Sequence, residues 1–178
     1  AVPLVVQNRA NLYSMDLTYR TYLNGLEAEE YPDMVYVPAN DGLLHAFYLK
    51  DVGAPTDDLG SEHYDEEAGR EAWAWMPGYL LERSHDNDWA GRAIDMILYG
   101  RTFLFDGSPV YEDVWIDDDG DNIKDCDSVP DDCEWHRVLV VQQGKGGPVT
   151  LALEITNPLS PEFLWEQTDE TDPTAMGY

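Results

Sequence analysis

Met34-Val35-Tyr36-Val37-Pro38-Ala39-Asn40-Asp41-Gly42-Leu43-Leu44-His45-Ala46-Phe47 is the stretch that decides the fold class. Met34 to Val37 is an apolar run with β-branched and aromatic members, the side chains that pack well on a pleated surface. Asn40-Asp41-Gly42 supplies the positive backbone angles of a tight hairpin, and Leu43 to Leu49 returns as the partner strand. Outward from this hairpin the pattern repeats. Glu71 to Met76 carries Trp73 and Trp75 on one face at period two. Further strands are predicted at Arg101–Phe105, Val110–Trp115, Trp135–Gln142, Val149–Ile155 and Phe163–Trp165. Gly78–Ser84 predicts a short helical turn, and the period through Trp89–Leu98 is ambiguous. Gly144-Lys145-Gly146-Gly147 lacks the spacing and the Ser/Thr of a phosphate loop and reads as a Gly-rich hairpin. The class is all-β with minor helix.

Two stretches interrupt the strands. Residues 51–69 are polar, acidic and rich in Gly and Pro, an inserted loop. Residues 117–134 hold more acid than a hairpin needs, and residues 167–178 form a tail or the start of a missing element. The chain has 36 acidic residues against 10 basic ones, a formal charge of −26. That balance excludes nucleic acid and anionic membrane surfaces as favoured partners. No apolar run reaches the roughly eighteen residues that membrane insertion as a helix requires. Beginning at Ala1-Val2-Pro3, the chain reads as a processed or excised segment. Cys126 and Cys133 flank an exposed acidic loop, where a disulfide would pin the segment in an oxidising compartment and free thiols are the alternative.

The sharpest chemistry lies at Asp117-Asp118-Asp119-Gly120-Asp121-Asn122-Ile123-Lys124-Asp125. Asp117, Asp119, Asp121 and Asp125 occupy positions 1, 3, 5 and 9 of a calcium loop, in which alternate residues converge on one point. Ile123 at position 7 would offer its carbonyl while its side chain packs inward. Asn122 at position 6 stands where the chain turns sharply, and Asn tolerates left-handed geometry next best after Gly. Position 12 is Ser128, so the bidentate role falls to Asp127, Asp131 or Asp132. A solvated acidic linker is the alternative, but five carboxylates in nine residues repel one another unless a cation intervenes.

Several of these segments, taken in order, resemble the PilC/PilY family of tip-associated proteins of type IV pili. The likeness runs through Tyr36–Phe47, Gly69–Pro77, Asp106–Pro109, Asp113-Val114, Trp135–Val140, Gly146-Gly147 and Leu151–Pro158. In the last of these the family usually carries Asp where Glu154 and Asn157 stand here. The resemblance implies a modified β-propeller over residues 1–166, with a calcium loop in this region. The chain holds strands for two to three blades, so it reads as a partial propeller with open edges, completed by other polypeptide.

The resemblance implies a secreted protein at the bacterial surface, at the pilus tip or outer membrane, acting in pilus assembly, retraction control and attachment. Its implied partners are the remainder of the parent polypeptide, minor pilins and a host or surface ligand. No catalytic constellation stands out among the scattered histidines, so no enzyme is expected. Two other readings remain: a quinoprotein-dehydrogenase-like propeller, suggested by Gly69-Arg70-Glu71-Ala72-Trp73, and a generic calcium-stabilised extracellular binding module.

Overall fold

The computed structural model describes residues 2–6, 13, 15–49, 68–81, 83–84, 87–91, 98, 103–129 and 132–168. The hairpin around Asn40-Asp41-Gly42 joins β2 (Met34–Pro38) to β3 (Leu44–Tyr48), with Tyr36 opposite Ala46. Gly42 sits at φ +93°, a conformation that costs glycine nothing. β1 (Leu4–Val6) pairs with the far side of β2, and β4 (Glu71–Trp75) with the far side of β3. The result is an antiparallel sheet in the order β1-β2-β3-β4. After α1 (Leu17–Ala28), α2 (Gly78–Leu81) and a ribbon of β5 (Arg83–Ser84) with β6 (Asn87–Gly91), a second sheet follows. It comprises β7 (Val110–Trp115), β10 (Trp135–Gln142), β11 (Val149–Glu154) and β12 (Glu162–Thr168), ordered β12-β11-β10-β7 and also antiparallel. Between β7 and β10 the chain makes the small ribbon β8 (Cys126–Ser128) and β9 (Asp132–Cys133). The two large sheets do not close on themselves.

Alternation in β10 explains the packing. Trp135, Arg137, Leu139 and Val141 point inward and the residues between them point outward. Leu139, Val141, Leu151 and Leu153 join Met34, Tyr36, Leu44 and Ala46 of the first sheet, together with Phe105, in one apolar core. Truncating one of these leucines to Ala would cost about 2–5 kcal/mol. Trp73 and Trp75 share a face, as the period-two reading expects. Trp73 donates its Nε1–H to the Pro158 carbonyl at 2.8 Å, and Trp75 stacks on Phe163.

Three features depart from the sequence reading. α1 was not expected. Asp16 caps its N-terminus by accepting from the Thr18 and Tyr19 amides, and Tyr19, Tyr22 and Leu26 form its buried stripe. No strand forms over Phe103–Phe105; Arg101 and Thr102 lie outside the described residues. The backbone bonds go elsewhere: the Leu104 carbonyl accepts from Gln143 Nε2 at 2.7 Å, and the Asp106 amide donates to the Gln143 carbonyl. β12 reaches Thr168, two residues into the expected tail, while residues 169–178, most of the inserted loop (51–67) and residues 92–97 lie outside the described residues. No helix among the described residues is long and apolar enough to cross a membrane.

Candidate metal centre

The acidic loop leaves β7 after Trp115 and is curled by its own carboxylates. Asp117 accepts from the Gly120 amide at 2.7 Å and the Asn122 amide at 3.1 Å. Asp119 accepts from the Asp121 amide at 2.9 Å, and Asp121 from the Ile123 amide at 2.6 Å. Two residues take left-handed backbone, Gly120 at φ +81° and Asn122 at φ +61°, so Asn122 does stand at a sharp turn. Carboxylate oxygens of Asp117, Asp119, Asp121 and Glu134 come within 4.8 Å of one another. Four anionic oxygen donors at that spacing fit a hard divalent cation that takes oxygen ligands. The three aspartates are on the surface or partly so, whereas Glu134 is 6% exposed.

Two neighbouring basic side chains have their partners outside the group of four carboxylates. Lys124, the only basic residue from Asp117 to Glu134 in the sequence, pairs with Asp16 at 3.5 Å and lies over the rings of Trp115 and Trp135. His136 contacts Asp118 at 3.1 Å and Glu154 at 3.7 Å. Burial works against the charge on His136, but Glu154 and Asp118 outweigh it and raise its pKa. Asp125 is also raised, by desolvation and then by the charges of Glu134, Asp121, Asp119 and Asp127. Without a cation, the loop carries uncompensated repulsion.

No protein-family model matches the chain. Type IV pilus biogenesis factor PilY1 of Pseudomonas aeruginosa is 28% identical over 155 residues, 85% of this chain and 10% of that protein. A PilY1 homolog of Xylella fastidiosa is 26% identical over 190 residues, covering 100% of this chain and 10% of the relative. The crystal structure of the P. aeruginosa PilY1 C-terminal domain covers 95% of this chain and 26% of its own, with a TM-score of 0.55 at 23% identity. The chain is similar to PilY1 proteins over most of its length. The fold of the PilY1 domain is thus matched along nearly all of the chain, which spans 10% of the length of the PilY1 relatives.

Within the acidic loop, Asp117, Asp119 and Asp121 converge as the spacing suggests. Asp125 does not join their carboxylate group; its amide donates to Glu134 Oε2 at 3.3 Å. Asp127 and Asp132 are exposed on β8 and β9 and stay apart, and Asp131 lies outside the described residues. Ile123 differs from expectation: its side chain is 62% exposed and does not pack inward. Glu134 is the residue the sequence reading missed. It also accepts from Trp115 Nε1 at 2.7 Å. Its only signal was an acid set between a cysteine and the aromatic start of a strand. Cys126 and Cys133 are joined in a disulfide.

Proposed function

We propose that this chain is a calcium-binding β-propeller module of a secreted type IV pilus biogenesis protein, acting in pilus assembly, retraction control and surface attachment. The observation that carries this reading is the convergence of Asp117, Asp119, Asp121 and Glu134, in a chain whose relatives are PilY1 proteins. Bound calcium would supply positive charge that turns the loop's repulsion into coordination. The Ile123 carbonyl and Asp125, the latter through water, would complete the shell, as positions 7 and 9 do in loops of this kind. Affinity in the micromolar to sub-millimolar range, on the order of sensor and extracellular sites, is expected.

Each four-stranded antiparallel sheet stands for one blade, with residues 51–69 and 117–134 as insertions between strands. Support comes from the open outer strand β12, where Phe163, Leu164 and Trp165 are exposed. An uncovered apolar edge invites further sheet, which the remainder of a parent polypeptide or a minor pilin would provide at the cell surface. A structural and adhesive role, not an enzymatic one, follows from this reading.

Calorimetric titration of chelator-stripped protein with calcium and with magnesium tests the site. Saturable calcium binding with weaker magnesium binding is expected, and loss of binding in Asp119→Ala. No heat beyond dilution with calcium rejects the proposal. For the pilus role, Asp119→Ala placed in the parent protein of a piliated bacterium is expected to alter pilus number or twitching, and unchanged piliation and motility count against it.

A further inference from the structure

Glu134 lies well beyond the run of acids and reaches them through the β8–β9 ribbon. That ribbon has only two paired rungs, Cys126 with Cys133 and Ser128 with Asp132. So short a hairpin is marginal by itself. The disulfide coincides with the first rung, and the residues just outside it are Asp125 and Glu134. These two exchange backbone contacts: the Glu134 amide donates to the Asp125 carbonyl, and the Asp125 amide to the Glu134 carboxylate, both at 3.3 Å. On the other side the Ile116 amide donates to the Glu134 carbonyl at 2.9 Å. Glu134 is thereby fixed to both ends of the acidic loop, by hydrogen bonds toward β7 and by the covalent bond toward β8. The sulfurs are buried beneath Tyr19, Tyr22 and Leu26 of α1, which seats the ribbon.

We propose that the Cys126–Cys133 disulfide sets the cation affinity of the acidic loop by holding Glu134 against Asp117, Asp119 and Asp121, so that reduction opens the site. This rests on the calcium reading above. With the bond intact, the fourth carboxylate is in place before the ion arrives. Once it is broken, the entropy of closing the ribbon must be met when the ion binds, and affinity falls. A dithiol reductant transfers two electrons and two protons to the sulfur–sulfur bond, leaving two protein thiols and the reductant's own disulfide. No other bond changes. The cysteines are positioning residues, and Glu134 is the ligand they position.

The test is calcium titration of the full chain, oxidised, reduced with excess dithiol and reoxidised, together with Glu134→Gln and a Cys126→Ala/Cys133→Ala double variant. Gln keeps an acceptor for Trp115 and Asp125 but drops the charge. Reduction is expected to weaken calcium binding on the order of tenfold or more, the usual scale for disturbed ligand positioning, and reoxidation to restore it. Glu134→Gln is expected to weaken the oxidised protein similarly and the reduced protein little further, because both changes remove one contribution. Equal calcium affinity in oxidised and reduced protein overturns this proposal alone. No calcium binding by the oxidised protein overturns the calcium reading together with it. Circular dichroism confirms folding of each species. Should the double variant fail to fold, the reduced wild type and Glu134→Gln still decide the matter.

Discussion

Asp113 and the Asp117–Asp121 loop are near neighbours in sequence, yet they meet the same electrostatic problem in opposite ways. Asp113, on β7, is 1% exposed and fully paired from within the protein. It accepts from Arg137 Nε at 2.8 Å, Arg137 Nη2 at 3.2 Å and the Tyr19 hydroxyl at 2.8 Å. Arg137 pairs directly across the ladder from it. In the loop, three aspartates and Glu134 converge, and among the described residues no ion pair is formed with them; Lys124 is held by Asp16 and two tryptophan rings. The lesson concerns where a charge finds its partner. A buried strand position has a fixed neighbour that can be Arg, whereas a protruding loop is open to a counter-charge from solution.

The largest loss is expected at the buried pair. Asp113→Ala leaves the Arg137 guanidinium without its carboxylate in the core, and such a break costs on the order of 3–5 kcal/mol. Urea unfolding should report that loss equally with calcium and with chelator; a loss confined to calcium-loaded protein would mean that the two regions are one unit. Next in size is the loop. Asp119→Ala or Asp121→Ala should remove the calcium-dependent stabilisation, about 2.7 kcal/mol at one hundred times the dissociation constant, and leave the calcium-free protein nearly unchanged. A comparable loss in chelator would show that these aspartates act through their turn hydrogen bonds instead.

The smallest effect is expected at His45, a third answer to clustered acid. Its ring joins Glu71 at 2.6 Å and Asp41 at 3.0 Å on the outer face of the first sheet. Burial opposes its charge, but the hydrogen bonds with Glu71 and Asp41 outweigh that and raise its pKa above 6.5. The clamp therefore contributes fully below the unfolded imidazole's pKa and is lost as pH rises through the higher folded value. Comparing wild type with His45→Gln in unfolding at about pH 6 and about pH 8 should reveal a difference below about 1 kcal/mol, larger at the lower pH. A larger difference at the higher pH would reverse the sign and remove the clamp.

What could be read in advance follows the same divide between local and distant partners. β7 and β10 fall at the residues the alternation predicts, because a half-buried strand writes its period directly into the sequence. Arg137 falls on the inward register with Trp135 and Leu139, and its pairing with Asp113 across the ladder was not drawn from the sequence. α1 was legible and was missed: Tyr19, Tyr22, Leu23 and Leu26 recur at i, i+3, i+4 and i+7 behind the Asp16 cap, a stripe obscured by Gly25 within it and by the exposed Leu17 beside it. Gly25, unfavourable in a helix by roughly 1 kcal/mol relative to Ala, is required there: a Cβ would lie 2.6 Å from Val129 Cγ2. Asp117, Asp119 and Asp121 were legible because a curled loop brings alternate residues together. Glu134 was not, since a disulfide ribbon, not local spacing, carries it to them.

On the proposed reading, the acidic loop takes its counter-charge from a cation in solution. Thermal unfolding of the wild-type chain with saturating calcium and with chelator, at fixed ionic strength, tests it most directly. A shift of several degrees to higher melting temperature with calcium is expected, absent from Asp119→Ala and Asp121→Ala. Identical melting of the wild type in calcium and in chelator would contradict it, leaving the loop a solvated acidic linker.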